Sequence, residues 1–478
     1  MRRMRWLGLL LAFVLMGGVM VACGGSDDDA DVDSDVASGQ IDVDAEDVTE
    51  DDTAMEDEDS SSMDEEDEDD SVAEAEPEEE MADEDMAGGM SVDEIMADPL
   101  GVIELDADEP VEIGSMFVLS GPNESLGVDS RDGVDLAIEA FGDFLGHEIV
   151  LTAEDSQCNP EGGQTAATRL AANENIVGVI GTSCSGAAEP AIPIICEAGM
   201  AMLSPSNTAP KLTATDRPSS FGCYLRTAHN DLFQGRVAAD FAYTELGLTK
   251  AATIHDGSPY AEELQNVFAL RFEELGGEIT AQEAVNVNDT DMSPVLTSIA
   301  ATEPQAIYYP IFTAEGGFVT AQARETAGLE DVALIGADGL FSADFVEAAG
   351  DAASGVYLSG PFVGDSSLYE DFLVSLETKY GRGPLSGFHA HAYDATMILL
   401  NAALAASAET EDGGLVIGRQ AMLDALYATE GYEGLTGSLS CDELGDCATG
   451  EALAVFEITE EVTADPEGTW PPDAVYQP

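Results

Sequence analysis

Lysine is almost absent: the 478-residue chain has only Lys211, Lys250 and Lys379, and 15 basic side chains in all stand against 96 acids, a formal net charge of -81 at pH 7. Nucleic acid and other polyanions are excluded as partners, because they would meet like charge. There are five histidines, none beside a cysteine at zinc-finger spacing, and no Cys-x-x-Cys. No metal site is expected on that account. Gly178-Val179-Ile180-Gly181 is not a dinucleotide fingerprint, and Gly181-Thr182-Ser183-Cys184-Ser185 misses the last glycine of a nucleophile elbow. His389 and His391 lie two apart on a predicted helix, where side chains diverge. The reading is of a chain that is not an enzyme and needs no cofactor.

Basic residues are missing altogether from 24–109, which carries 39 acids; the remaining 110–478 holds 57 acids and 12 bases. Like charges repel and little apolar surface is available, so 24–109 reads as a disordered acidic tether. Ahead of it, Arg2, Arg3 and Arg5 precede an uncharged stretch, 6–22, that ends in small residues before Cys23. This basic, apolar, small-residue order is that of a secretory signal. The apolar run is 17 residues, short for a bilayer core that needs about 20.

Six further cysteines, Cys158, Cys184, Cys196, Cys223, Cys441 and Cys447, form an even set in an exported chain, so three disulfides are expected. Spacing makes Cys441 with Cys447 the easiest pair. The others are expected as Cys158 with Cys184 and Cys196 with Cys223.

The body alternates strand and helix. Apolar runs at 111–119, 148–152 and 176–180 are separated by helical patterns, one with Val134, Ala137, Ile138 and Phe141 at helical spacing. The series starts again with a helix at 233–246 and strands at 251–255, 279–285, 306–309 and 332–335. This is the pattern of an α/β fold with parallel sheets covered on both faces, and its length suits two cores. Such sheets bind ligands beyond the C-terminal ends of their strands, so two facing lobes would make a cleft.

Two hydroxyl-rich turns follow first-lobe strands: 181–187, with Cys184 and Ser185 at a helix start, and 204–210, with Ser206 and Thr208. Free helix N-terminal amides and hydroxyls suit a carboxylate; Ser185 and Thr208 read equally well as helix N-caps. At matching places in the second lobe stand Tyr260, Phe312 and Asp338. A carboxylate among rings suits a buried ammonium group. The rings taken singly also read as core, and Asp338 as an N-cap. Together the two halves suit a zwitterion.

These stretches have a familiar order. Leu119-Ser120-Gly121-Pro122 with Gly127, Glu154-Asp155-Ser156-Gln157-Cys158, 181–185, Ser204-Pro205-Ser206-Asn207-Thr208-Ala209-Pro210, Ile254-His255-Asp256 with Tyr260, and Phe388-His389-Ala390-His391-Ala392-Tyr393-Asp394 run in sequence across 110–478. The body resembles the periplasmic Leu/Ile/Val-binding protein family, the type I substrate-binding lipoproteins of ABC importers. The resemblance implies two Rossmann-like doubly wound lobes joined by a three-segment hinge, with crossings near Ala228, Gly360 and Gly434. The lobes would then be 110–228 with 361–434 and 229–360 with 435–478. It also implies that Ser185, Ser206 and Thr208 hold a ligand carboxylate, that the Ser206 carbonyl and Asp338 hold its ammonium with Tyr260 nearby, and that Cys158 joins Cys184. Met20-Val21-Ala22-Cys23 resembles a lipobox with Met in place of Leu, which makes 1–23 a signal peptide and Cys23 a lipidation site.

Three positions depart from the family pattern. Leu126 replaces an aromatic residue, Phe312 a tyrosine, and Asp338 a longer glutamate. The expected protein is a monomeric, extracytoplasmic, membrane-anchored binding lipoprotein. It would close on a small aliphatic or polar α-amino acid by hinge motion and present it to an ABC permease. The competing readings are a sensor for amides or small carboxylates, and a surface adhesion lipoprotein.

Overall fold

The computed structural model describes residues 90–448, 452–466 and 468–478. The signal segment, Cys23 and the acidic run as far as residue 89 lie outside the described residues.

The first described elements are α1 (Val92–Ile95) and β1 (Val102–Leu105). The expectation that the structureless tether reaches residue 109 is therefore corrected. Acid density hides a short alternating strand here: Ile103 and Leu105 are buried in the core and Glu104 faces out.

Five parallel strands then form the first sheet: β2 (Val111–Phe117), β3 (Ile149–Asp155), β4 (Ile176–Gly181), β5 (Ala201–Ser204) and β6 (Tyr224–Arg226), in the order β3-β2-β4-β5-β6. Every residue of β4 is buried, as a central strand covered on both faces requires. Its connecting helices are α2 (Glu124–Phe141), α3 (Pro160–Ala171) and α4 (Ser185–Glu197).

The chain crosses after β6 into α5 (Asp231–Asp240) and builds a second sheet from β7 (Lys250–His255), β8 (Glu278–Ala284), β9 (Ala306–Tyr308), β10 (Ala333–Gly336) and β11 (Val356–Pro361). The strand order β8-β7-β9-β10-β11 repeats that of the first sheet. Helices α6 (Pro259–Glu274), α7 (Ser293–Ala300), α8 (Thr313–Glu325) and α9 (Ala343–Ala349) connect these strands. Both sheets change winding direction beside their first strand, so each has a switch point at β2/β4 or β7/β9, where doubly wound sheets bind ligands.

A second crossing after β11 returns the chain to the first core through α10 (Ser367–Tyr380) and α11 (His389–Ala405). Helix α11 is buried almost all round, because it lies between the first sheet and α2. A Cβ on Gly133 of α2 would sit 2.1 Å from the His389 carbonyl oxygen, so only glycine permits this crossing. Then come β12 (Ser407–Glu409) and β13 (Leu415–Gly418), the latter pairing antiparallel with β1, followed by α12 (Arg419–Tyr427) and the hairpin of β14 (Tyr432–Gly434) and β15 (Gly437–Leu439).

The third crossing was expected near Gly434, and the structure corrects this. Leu435 packs with Leu136 and Leu376, while Leu439 and Cys447 pack with Leu225 and Leu399. Residues 435–448 thus belong with the first core, held there by apolar burial, and the chain leaves only after Cys447. It ends by adding β16 (Leu453–Glu457), α13 (Glu460–Ala464) and β17 (Ala474–Tyr476) to the second sheet, where β16 pairs antiparallel with β11 on one side and with the edge strand β17 on the other.

All three expected disulfides are present: Cys158–Cys184, Cys196–Cys223 and Cys441–Cys447. Among the described residues no helix is long and apolar enough to cross a membrane.

Candidate functional site

The first half of the site rests on a scaffold of hydroxyls. Ser183 Oγ accepts the Val118 amide at 3.1 Å, fixing the end of β2 against the turn after β4. Ser206 Oγ donates to the Ser183 carbonyl at 2.8 Å and Ser204 Oγ to the Thr182 carbonyl at 3.0 Å, locking the two turns together. Asp155 collects Ser120 Oγ and the amides of Leu119 and Gln157. Burial raises its pKa, but these donors outweigh burial and hold the carboxyl below its usual range.

With the turns fixed, Ser185 opens α4, where first-turn amides have no intrahelical partner. Its hydroxyl accepts the Ala209 amide at 3.3 Å, which leaves the hydroxyl proton free to donate. Thr208 Oγ1 is buried and has no hydrogen-bond partner. An N-cap role for either residue is not what the structure gives: neither side chain caps a helix.

The second half supplies acceptors. Asp338 Oδ1 receives Tyr260 Oη at 2.8 Å and Gln234 Nε2 at 2.8 Å, and Tyr260 Oη in turn accepts the Gly339 amide at 3.0 Å. Burial raises the pKa of Asp338; the nearby His229 and these hydrogen bonds oppose the rise without cancelling it. The Phe312 and Tyr260 rings lie 5.2 Å apart.

Leu126, Cys184, Ser185, Ser206, Tyr260, Phe312 and Asp338, seven positions singled out from the sequence, line one narrow interlobe gap. Thr208 lies behind them, its carbonyl accepting the Asp231 amide at 3.0 Å. The lobes are closed on each other. Gly186 at the start of α4 faces Pro259 at the start of α6, Ser125 Oγ donates to Asp344 across the cleft, and the Lys211 amide donates to Glu263 at 3.1 Å.

Sequence reading missed several members of this site. Ser183, Gly339 and Phe388 also line the gap, and Phe388 joins Val118, Leu126, Phe312 and Cys158 in an apolar cluster. More important is Asp231 at the start of α5, fully buried with neither carboxylate oxygen hydrogen-bonded. One atom each of Asp231, Asp338 and His229 lie within 4.8 Å of one another, the one such group among the described residues that could hold a cation. The expectation of no metal site rested on cysteine and histidine spacing, which cannot see three residues brought together by folding.

Burial, reinforced by the Asp338 charge, pushes Asp231 well above the usual carboxylate range, despite the nearby Arg226 and Thr208. His229 Nε2 lies 2.5 Å from Gln234 Oε1. The signal that would find Asp231 is positional: it follows the end of β6 as Ser185 and Thr208 follow the ends of neighbouring strands, but β6 is only three residues long. His389 and His391 do not act together. His389 binds Asp129 and Tyr369, while burial, with lesser repulsion from His229 and His389, holds His391 down to about 3.

A family model described as "Periplasmic binding protein" matches residues 110–461. The chain belongs to the periplasmic binding protein family. Its relatives include the leucine-, isoleucine-, valine-, threonine- and alanine-binding protein of Pseudomonas aeruginosa, 26% identical over 75% of this chain and 92% of that one. A Leu/Ile/Val-binding protein homolog of Brucella abortus is 28% identical over 70% and 87% of the two chains. Among solved structures, the leucine-binding protein LivK of Thermotoga maritima is 25% identical with a TM-score of 0.65, covering 73% of this chain and 96% of its own. The branched-chain amino acid transporter substrate-binding protein LivJ of Streptococcus pneumoniae, in complex with isoleucine, is 27% identical with a TM-score of 0.64, covering 73% and 97%. The fold is that of a type I periplasmic binding protein, and these family members are binding proteins, not enzymes.

Proposed function

We propose that this periplasmic binding protein captures a single α-amino acid with an aliphatic side chain and delivers it to an ABC permease. The reading rests on one observation: the free hydroxyl donor of Ser185 and the acceptor Asp338 line a single small gap, with Thr208 and Asp231 buried just behind it. The carboxylate of the ligand would lie on the Ser185 hydroxyl and the first amides of α4, where the helix dipole favours negative charge. The ammonium would lie between Asp338, Asp231 and the Ser206 carbonyl. The side chain would meet Leu126, Phe312, Phe388 and the Cys158–Cys184 disulfide, a wall with no charged group.

Capture would proceed by hinge closure at the three crossings, with 90–228 and 362–448 as one lobe and 229–361 and 452–478 as the other. Second-lobe contacts made only in the closed form would stabilise it. Anchoring by a lipid on Cys23 is supported by Met20-Val21-Ala22-Cys23 after a basic and apolar segment. Mass spectrometry of the mature protein should find a diacylated Cys23 as its first residue; an unprocessed chain beginning at Met1 rules the anchor out.

Calorimetry of the body with leucine, isoleucine, valine, alanine, serine and benzoate tests the ligand class. Binding of an aliphatic amino acid and not of benzoate is expected; the reverse order of affinity overturns the reading. Binding should also release a proton. Burial holds Asp231 and Asp338 above the usual carboxylate range in the ligand-free protein, and an arriving cation favours their ionised forms. Affinity therefore rises as pH increases from the ordinary carboxylate range, about 4, and levels off once the free pair is fully ionised. Measured enthalpy should change with the ionisation enthalpy of the buffer, and identical enthalpies in phosphate and Tris would contradict proton release.

A further inference from the structure

The 442–446 loop, closed by the Cys441–Cys447 disulfide, lies against the strand end that leads from the first lobe into the second. Arg226 ends that strand and is fully buried, a costly place for a guanidinium unless it is paired. Its partner is Asp446 of the loop, bound at Nε. The remaining guanidinium nitrogens reach the turn that carries Ser206 and Thr208. Nη1 donates to the carbonyls of Asn207 at 3.1 Å and Ala209 at 3.0 Å, and Nη2 to Thr213 Oγ1 at 2.7 Å.

Asp446 also works in the other direction. Its Oδ2 accepts Thr213 Oγ1 at 3.1 Å and Asn230 Nδ2 at 3.0 Å, and Asn230 caps α5 by accepting the Leu232 amide at 3.0 Å. One carboxylate therefore ties the turn around Thr208 to the residue just before Asp231.

The loop is built to hold that carboxylate still. Asp442 Oδ1 accepts the amides of Leu444 at 2.8 Å and Asp446 at 2.9 Å. The Gly445 carbonyl accepts the Arg226 amide at 2.8 Å, and the Cys447 amide donates to the Arg226 carbonyl at 3.0 Å. Gly445 has φ +88°, and a Cβ there would sit 2.5 Å from the Tyr224 carbonyl oxygen, so only glycine lets the loop come this close. A loop this short gains little global stability from a disulfide, since the entropic benefit grows with loop length. Its benefit is local.

We propose that Asp446 is a positioning residue for the ligand, and that the Cys441–Cys447 loop is the clamp that presents it, holding Thr208 and Asp231 in register across the first crossing. The inference rests on the amino-acid reading of the cleft for its effect on affinity, but not for its effect on the turn.

The test is the Cys441→Ser/Cys447→Ser double variant, with Asp446→Asn beside it in case the double variant does not fold. Calorimetry with leucine should show binding at least fivefold weaker in each. Hydrogen exchange of the ligand-free variants should be faster in peptides covering 204–213 and 228–233, with the second sheet protected as in the wild type. A wild type that binds no leucine counts against the ligand assignment alone, and the exchange measurement still decides the clamp. Unchanged exchange in both peptides, exchange raised uniformly through the first lobe, or unchanged leucine affinity overturns the proposal.

Discussion

Asp338→Ala lowers affinity for the captured amino acid by more than tenfold and leaves the fold intact. In the proposed complex the ammonium group of the ligand would enter a closed gap where water cannot replace a lost partner. Removing one member of a buried, hydrogen-bonded charge pair costs about 2–5 kcal/mol. That is roughly thirtyfold or more in affinity. Asp231 would still supply negative charge, which sets the expectation at the lower end of this range. The fold tolerates the change because both donors to Asp338 keep other partners. Gln234 Nε2 also donates to the Ser359 carbonyl at 3.0 Å, and Tyr260 Oη still accepts the Gly339 amide. Titration calorimetry and a thermal melt on the same preparation separate the two effects. Affinity within threefold of the wild type would remove Asp338 from the site.

Gly127→Ala is expected to have the largest effect on stability. A Cβ at this position would lie 1.8 Å from the Val118 carbonyl oxygen and 2.7 Å from its amide nitrogen. The strand end cannot yield cheaply: β2 is paired on both sides, and the Val118 amide is fixed by Ser183 Oγ. Helix α2 must therefore lift, and it carries Ser125 and Leu126 into the cleft. Overpacking of this kind costs about 1–3 kcal/mol where neighbours can shift, and backbone on both sides of the contact puts Gly127 at or above that range. The melting temperature should fall by several degrees, with weaker ligand binding as Leu126 moves. Gly364→Ala, with nothing within 4 Å of its Cβ, serves as the control and should melt with the wild type. Equal melting of the two variants would mean that α2 is not held against Val118.

Of the seven gap-lining residues, Leu126 was singled out through the family resemblance, and the other six by one rule, that ligands gather where parallel strands end. The rule worked because β2, β4, β5, β7, β9 and β10 are buried apolar runs bounded by glycine and proline turns, a local pattern that needs no tertiary information. It missed Asp231 because β6 is only three residues long and too short to register as a strand. It missed Phe388 because α11 is apolar all round, so no periodicity distinguishes its cleft-facing end. The acidic stretch before residue 110 was read as uniformly unstructured for a related reason. The apolar partner of β1 is β13, more than three hundred residues away. The misplaced third crossing has the same origin, since nothing local says which core Leu439 and Cys447 will join.

Local chemistry was enough to define the two-sheet architecture, the exported character and the zwitterion-suited division of donors and acceptors, because each follows from residue type and short-range spacing. Which acids share a desolvated pocket, which lobe owns the final disulfide loop and which turn a buried arginine binds were decided by the tertiary structure. Those properties depend on distances between residues far apart in the chain, and only closure of the lobes removes the water that screens the charges.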